Sequence, residues 1–327
     1  MLTPLSIAST HPYSPELRWR FRFTLLTLVA TLCLMTWGGF VTSLFAGMAV
    51  PDWPTSFGSL DPLNPRPEWW RITPVLAEHG HRLWGALVGL LTLILAAWTW
   101  KTETRPPVRR LALFALFLVI FQGILGGLRV IWISLDLAVV HASIAQLFLA
   151  TMVTLATLTS PTWLRKNRFA YTPKPIRKAV AYMVGTLYVQ IILGALLRQR
   201  VPGTTIDPLL ATLHVSVAFI ATGLILYTAW QIWQQIPKTH PMHRGNFFLL
   251  GFLILQMMLG TAALTILVMR NPMLPPSGVQ VGINTTHLLT GALVFATAIW
   301  ILLWSQRREI SVSRRKYSST SVSSIAS

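Results

Sequence analysis

The sequence predicts an all-α polytopic membrane protein with eight transmembrane helices, from its composition and from the length of its apolar runs. Hydrophobic residues make up 53% of the 327 residues, charged residues only 11%, and the mean hydropathy is +0.58. Several apolar runs exceed the roughly 18–20 residues that a helix needs to cross a bilayer. A soluble domain needs far more charge to cover its surface, so the soluble classes are excluded.

Charged or proline-rich breaks between apolar runs define each predicted helix in turn. The first run follows basic residues, but it is too long for a signal-peptide core and leads into a Pro-Asp-Trp-Pro turn, which favours a retained anchor. The later runs are bounded by similar breaks. The eight predicted spans are 23–46, 76–100, 109–130, 137–160, 179–198, 208–233, 246–269 and 283–304.

The positions of the basic residues explain the net charge of +18 and indicate the topology. Lysine and arginine concentrate in the cytoplasmic loops of membrane proteins. With eight spans, 20 of the 27 basic residues fall on the side that holds both termini. We therefore expect a multi-pass protein of the plasma membrane, embedded in the lipid bilayer, with cytoplasmic termini and no nucleic-acid partner.

Internal repeats predict that the eight helices form two tandem, pseudo-symmetric four-helix bundles. Gln-x-x-Leu-Gly occurs at Gln122–Gly126, Gln190–Gly194 and Gln256–Gly260. Small residues there favour close helix contact and the glutamine a bond across helices, with a direct ligand role as the alternative. The predicted segments are a cytoplasmic N-terminal segment (1–22), an N-terminal bundle (23–164), a basic linker (165–178), a C-terminal bundle (179–305) and a cytoplasmic tail expected to be disordered (306–327).

Four histidines are the strongest functional signal, because ionisable side chains inside a membrane are costly. His81, His141, His214 and His287 lie near the outer ends of the second, fourth, sixth and eighth predicted helices. A lone histidine on a helix is usually a packing residue. Four at matched depth favour two bis-histidine heme sites, with His81 paired to His141 and His214 paired to His287.

The second predicted helix begins with Glu-His-Gly-His-Arg at 78–82, and this segment distinguishes the two halves. Glu78 and His81 share a helix face, whereas His79 points away, so we expect His81 to be the iron ligand and His79 a rim residue. Glu78 is either a proton-transfer group beside a redox centre or a partner of the neighbouring arginine. No carboxylate precedes His214, which suggests one chemical site and one electron-handling site.

Two arginines close the third and fifth predicted helices at the outer face. Arg129 and Arg198 each follow a Gln-x-x-Leu-Gly motif by a few residues. Guanidinium groups there can bind heme propionates bidentately, or they can extend to lipid headgroups. The outer loop of about 47–75 is rich in tryptophan, so it lies at the membrane interface or covers the first-half site.

These motifs resemble the heme A synthase family over roughly 23–304. The resemblance rests on the histidines of the fourth, sixth and eighth helices and on three motifs. The motifs are Gly-Gly-Phe-Val with Trp-Pro across Gly38–Pro54, Glu-x-x-His-Arg at Glu78–Arg82 and Gln-Gly-x-Leu-Gly-Gly at Gln122–Gly127. The resemblance implies conversion of heme O to heme A, in which a ring methyl group is oxidised to a formyl group through successive hydroxylations.

The resemblance also implies roles for the site residues. In that family the C-terminal half holds heme b and the N-terminal half takes the substrate, heme O. Carried over, His214 and His287 ligate heme b, His81 and His141 flank the substrate iron, and Glu78 serves catalysis. Heme O synthase and cytochrome c oxidase assembly factors become candidate partners, and the sequence is compatible with a homo-oligomer.

One departure from the family concerns the first outer loop. Some members carry a cysteine pair there, whereas this chain has Thr55-Ser56-Phe57 and a single cysteine, Cys33, inside the first span. The route of electrons therefore stays open.

Two other functional classes share the paired histidines. A di-heme b-type membrane cytochrome that transfers electrons from quinol normally places its ligand pairs near opposite membrane faces. A heme transporter without chemistry has less need of an acid beside only one histidine pair.

Overall fold

The computed structural model describes residues 14–65, 68–164, 171–199, 204–205, 207–269, 271 and 273–307. Within these residues the secondary structure is helical, apart from one isolated bridge between Ser56 and Ser59. Eight helices are long and apolar enough to cross a membrane, which confirms the predicted number. Parts of the predicted terminal segments and linker, residues 1–13, 165–170 and 308–327, lie outside the described residues.

Most of the membrane helices extend beyond the predicted spans, because a helix continues through charged residues that end an apolar run. Two short helices, Trp69–Arg71 and Pro161–Leu164, precede α2 and follow α4. The membrane helices are α1 (Pro15–Ser43), α2 (Thr73–Thr102), α3 (Pro106–Ile131), α4 (Leu135–Thr159), α5 (Lys174–Arg198), α6 (Pro208–Gln235), α7 (Met242–Met269) and α8 (Gly278–Gln306).

Polar caps fix where three of the four histidine-bearing helices begin. Ser134, Asp207 and Ser277 each accept a hydrogen bond from a backbone N–H in the first turn of α4, α6 and α8. Such caps satisfy N–H groups that have no partner within the helix. The four site histidines consequently lie at similar depth, within about the first three turns of their helices. We name the end of the molecule where α2, α4, α6 and α8 begin the histidine end.

By their order in the chain, the membrane helices form a first group, α1–α4, and a second group, α5–α8. Both α1 and α3 contact α2 and α4, and both α5 and α7 contact α6 and α8. Each group has its own buried apolar cluster, which includes Val88 and Met152 in the first group and Ile225 and Leu249 in the second. These contacts favour the predicted pair of four-helix bundles.

The two groups meet along α1, α4, α5 and α8. Both α1 and α4 contact α8, and α4 also contacts α5. Leu149, Val153 and Ala292 form a small apolar cluster between α4 and α8. At the histidine end, the hydroxyl oxygens of Ser43 on α1 and Thr285 on α8 are hydrogen-bonded at 3.2 Å. The first and last membrane helices therefore touch beside the histidines.

A buried ionic cluster joins α1 to the α2–α3 connection at the opposite end. Arg20 is only 1% exposed, and its Nη2 lies 2.6 Å from Oε2 of Glu103. The Nε of Arg105 donates to the other carboxylate oxygen at 2.9 Å. Burial alone would raise the pKa of Glu103, but hydrogen bonds from Arg105 and the two positive charges lower it to about 2. The ion pair with Glu103 allows the buried Arg20 to be part of helix α1.

Candidate functional site

A cavity of about 1120 Å³ at the histidine end is lined by residues from both helix groups. Ordinary small-molecule pockets occupy roughly 300–1,000 Å³, so this cavity is large enough for a ligand of porphyrin size. It brings together all the predicted site residues: Glu78, His81, Arg129, His141, Arg198, His214 and His287.

The four imidazoles line one cavity, His81 and His141 from the first group and His214 and His287 from the second. Among the described residues, no cluster of three or more histidine, cysteine, aspartate or glutamate side chains is arranged to hold a metal ion. Two imidazoles suit the axial positions of an iron porphyrin, whose macrocycle supplies the remaining ligands. The donor set therefore fits heme.

A glycine on the preceding helix lies against each imidazole, and at Gly38, Gly194 and Gly260 a larger residue would press on the ring. If a Cβ is built at these glycines, it lies 3.0–3.4 Å from the imidazole Cε1, tighter than most real contacts. The pairs are Gly38 with His81, Gly126 with His141, Gly194 with His214, and Gly260 with His287. Three of these glycines belong to the repeated motif. Sequence analysis missed Gly38 in this role because its segment lacks the motif's glutamine.

In the second group, the motif glutamines reach the imidazole rings of the neighbouring helices. Gln190 Nε2 lies 3.1 Å from Nδ1 and 3.2 Å from Nε2 of His214. Gln256 Nε2 lies 3.5 Å from Nε2 of His287. Groups that contact a ligating histidine in this way fix its orientation and tautomer. These two glutamines therefore restrain the orientation of the imidazoles of His214 and His287.

The first group has one such glutamine, and its contact differs. Gln122 Nε2 donates to the backbone carbonyl of His141 at 3.0 Å, in agreement with the helix-bridging interpretation. The Nδ1 atoms of His81, His141 and His287 are buried and have no hydrogen-bond partner. Buried polar atoms are nearly always paired in folded proteins. Unpaired ring nitrogens around a shared cavity thus indicate a ligand-binding site.

Glu78 is buried in the cavity wall, and both of its carboxylate oxygens are engaged. Oε1 lies 3.0 Å from Nη2 of Arg82, and Oε2 accepts a hydrogen bond from the backbone N–H of Val50 at 2.9 Å. Its charge also acts on Arg129. The arginine pairing that the sequence offered as one alternative is present, and the carboxylate also lines the same cavity as His81.

The loop of residues 44–72, of which the structure describes 44–65 and 68–72, covers the first group's part of the cavity. Arg82 donates hydrogen bonds to three backbone carbonyls of this loop. Trp53 packs against Gly127 so closely that a Cβ at the glycine would overlap the indole. Trp53, Ser56 and Leu60 all line the cavity. These contacts favour the covering role over a location at the lipid interface.

His79 fastens the same loop and also lines the cavity. It is only 2% exposed, its Nδ1 lies 3.1 Å from Ser56 Oγ, and its Nε2 lies 2.9 Å from the carbonyl oxygen of Pro62. Its ring meets that of Trp69 edge to face, with centroids 4.6 Å apart. His79 is therefore committed to the loop, which leaves His81 as the histidine of this segment that pairs with His141.

Asp52 organises the turn that brings Ser56 over the cavity. Its carboxylate accepts hydrogen bonds from the Thr55 hydroxyl and from the N–H groups of Phe57 and Gly58. Burial alone would raise the pKa of Asp52, but these hydrogen bonds lower it below its ordinary value. The ionised carboxylate thus stabilises the turn.

The two predicted propionate arginines face into the protein rather than towards lipid. Arg129 Nη2 donates to the carbonyl of Gly47 at 3.0 Å, and Arg198 donates to the carbonyls of Asn284 at 3.0 Å and Gly39 at 2.6 Å. Both arginines also line the cavity. Their bonds to main-chain carbonyls were not foreseeable from the sequence, because any residue supplies such an acceptor.

Comparison with known proteins identifies the family. The family model described as "Cytochrome oxidase assembly protein" (COX15-CtaA) matches residues 21–209. The chain belongs to this family. The match includes Glu78, His81 and His141, whereas the two histidines of the second group lie beyond it.

Several similar proteins of the family are named Heme A synthase. The one from Shouchella clausii is 26% identical, over 73% of this chain and 75% of its own length. Those from Alkalihalophilus pseudofirmus and Halalkalibacterium halodurans are 28% and 32% identical, over 54% and 42% of this chain. The chain spans 59% and 45% of the lengths of these two relatives.

Proposed function

We propose that the protein is a heme A synthase, an oxidoreductase that converts heme O to heme A for cytochrome c oxidase biogenesis. Membership of the cytochrome oxidase assembly family and the Heme A synthase relatives support this function. The observation that carries it is a single cavity with two imidazole pairs and an uneven distribution of acid. Glu78 and Asp61, the acidic residues of its lining, both belong to the first group or its loop.

The two helix groups have different tasks in this proposal. The N-terminal bundle, 23–164, binds heme O with His81 and His141 on either side of the substrate iron. The C-terminal bundle, 179–305, binds heme b through His214 and His287, and the linker 165–178 joins the two. Separate apolar cores, and two cavity histidines from each group, support this division.

Residues of the first group prepare the substrate methyl group for oxidation to a formyl group by successive hydroxylations. Glu78 accepts and returns protons near that group, while Arg82 and the Val50 N–H hold its carboxylate in place. The loop 44–72 limits the access of water. Heme b supplies one-electron redox chemistry when it is bound.

Arginines at the histidine end orient the porphyrins. We assign propionate binding to Arg129 and Arg198, because both guanidinium groups line the cavity. Carboxylates are anions that guanidinium groups bind bidentately. The farnesyl tail of heme O then extends away from the polar end of the cavity, among apolar side chains.

The charge distribution supports a multi-pass protein of the plasma membrane with both termini in the cytoplasm. This orientation places 20 of the 27 basic residues on the cytoplasmic side, and the histidine end on the other. Heme O synthase and cytochrome c oxidase assembly factors are the expected partners, since one produces the substrate and the others use the product.

The di-heme cytochrome that oxidises quinol remains the competing function, because it uses the same imidazole pairs. A transmembrane electron route requires pairs near opposite membrane faces. Here both pairs line one cavity at one end, which favours the synthase.

Extraction of the bound hemes tests the proposal. The protein is expressed together with a heme O source, purified, and its hemes are separated by chromatography. We expect heme A together with heme b, and we expect His214→Ala and His287→Ala to lose heme b. The control is His243→Ala on α7, which lies outside the cavity lining and should retain both hemes. Heme b alone would support the cytochrome, and absence of heme would support a transporter.

A further inference from the structure

Four equivalent sets of residues surround the four histidines, and one set differs from the others. Each imidazole packs on a glycine of the preceding helix, and the sets are compared at the residue four positions before that glycine. Three of these sets have a glutamine at that position, and the set around His81 has Leu34. The residues at the position are Leu34, Gln122, Gln190 and Gln256.

The glutamine adds a connection that leucine cannot make. The amides of Gln190 and Gln256 reach the imidazoles of their partner histidines, and that of Gln122 bonds to the backbone of its partner. Leu34 offers only its backbone carbonyl and an apolar side chain. His81, His141 and His287 all have a buried Nδ1 without a hydrogen-bond partner, so what distinguishes His81 is that the residue four positions before its packing glycine, Leu34, carries no amide.

We propose that His81 is the exchangeable ligand of the substrate iron and that Leu34 keeps it exchangeable. The inference rests on the proposed function, in which one porphyrin is retained and the other enters and leaves. His214 and His287, which would ligate the retained cofactor, each have a neighbouring glutamine on the preceding helix. Of the two histidines that would ligate the substrate, only His141 has such a glutamine. Release breaks the bond from His81 nitrogen to iron, with the electron pair staying on the imidazole, so no redox partner is needed.

Leu34 is positioned to control this ligand from the cavity wall. Its side chain lines the cavity and also packs against the apolar cluster of the first group. A glutamine of similar length at this position gives up apolar contacts with the cluster but extends its amide into the cavity. The amide then restores at His81 the connection that His214 and His287 already have.

The rate of heme O release tests the role of Leu34. Wild-type protein and Leu34→Gln are loaded with heme O, and transfer of the heme to excess apomyoglobin is followed by absorbance. One hydrogen bond changes an equilibrium by about two- to ten-fold, so we expect Leu34→Gln to slow release by that factor. Cys33→Gln, which adds an amide on the exposed side of α1 and outside the cavity lining, should release heme O at the wild-type rate. Equal rates for Leu34→Gln and wild type would overturn the inference.

The reverse change in the second group provides an independent measurement. Gln190→Leu removes the amide beside His214 and should speed heme b release by a similar factor; an unchanged rate would contradict the role given to the glutamines. The two proposals also fail separately. If Leu34→Gln slows heme O release but the wild-type protein forms no heme A, the proposed synthase function is contradicted and the exchangeable ligand is supported. If the wild-type protein forms heme A but Leu34→Gln does not change heme O release, the synthase function is supported and the exchangeable ligand is contradicted.

Discussion

Arg198, the last residue of α5, donates a hydrogen bond to the backbone carbonyl of Gly39 on α1, with 2.6 Å between Nη2 and the oxygen. The same guanidinium bonds to the hydroxyl of Ser43 on α1 and to the carbonyl of Asn284 on α8. Arg198, from the second helix group, therefore holds α1 next to Gly38, the glycine that packs against His81. Through this arginine, the two parts of the cavity share a structural support.

Arg198→Gln should weaken that support. Hydrogen bonds to a charged group contribute about 1.5–3 kcal/mol each, so we expect the free energy of unfolding to fall by at least that amount. Thermal unfolding in detergent measures the change. Lys178→Gln, at an exposed position of the same helix, should shift stability by less than about 0.5 kcal/mol. Unchanged stability combined with loss of heme b would instead make propionate binding the main role of Arg198.

Gly194→Ala should displace the imidazole of His214. The added Cβ would lie 3.1 Å from Cε1 of the ring, which has to move away from its position in the cavity. We expect the heme b absorbance of the purified protein to fall several-fold. Gly185→Ala is a matched control on the same helix, because nothing lies within 4 Å of a Cβ there. Alanine is favoured over glycine within a helix by about 1 kcal/mol, so the control should retain heme b and its stability. Equal heme b in both variants would show that the contact at Gly194 is unimportant.

Glu78→Gln should stop oxidation while heme remains bound. A glutamine of the same size retains an oxygen that accepts the Val50 N–H, but it no longer carries the charge that pairs with Arg82 or a proton that can be exchanged. Chromatography of extracted hemes should show heme O and heme b with little heme A. Glu16→Gln, in the first turn of α1 and outside the cavity lining, is the control. Normal heme A production by Glu78→Gln would exclude this carboxylate from the chemistry.

The eight helices were predictable because the membrane imposes a minimum length of apolar sequence, and no tertiary contact is needed to recognise it. The start of α1 at Pro15 was not predictable in the same way. Three arginines mark residues 18–22 as a loop by charge alone. Arg20 is accommodated in the helix because Glu103, far along the chain, neutralises it.

The histidines of the site were also predictable, because an ionisable group is conspicuous in an apolar span. Their supporting residues were less so. Gly38 performs the same packing task as the three motif glycines, but Leu34 interrupts the pattern that would have revealed it. The loop role of His79 depends on a fold of residues 44–72 that hydropathy does not specify.

His79→Ala should loosen the loop over the first part of the cavity. The variant loses the contacts with Ser56 and Pro62, so we expect faster proteolytic cleavage within residues 44–72 and reduced heme A formation, with heme b unchanged. Limited proteolysis followed by mass spectrometry measures the cleavage. His81→Ala, which removes a ligand rather than a loop contact, should lose the substrate heme with little change in cleavage. The opposite pattern would mean that His79 is the iron ligand.

Glu103→Gln should destabilise the protein in a pH-dependent manner. Removing one partner of a buried ion pair costs about 3–5 kcal/mol, and Glu103 is only 6% exposed. Its pKa in the folded protein is about 2, below the ordinary value of 4.5. The ionised carboxylate therefore stabilises the fold fully above the ordinary value, and this stabilisation is lost as the pH falls from 4.5 towards 2. Thermal unfolding at a series of pH values should show the gap between wild type and variant closing over that window. A gap that stays constant would indicate that the carboxylate of Glu103 is not ionised in its contact with Arg20.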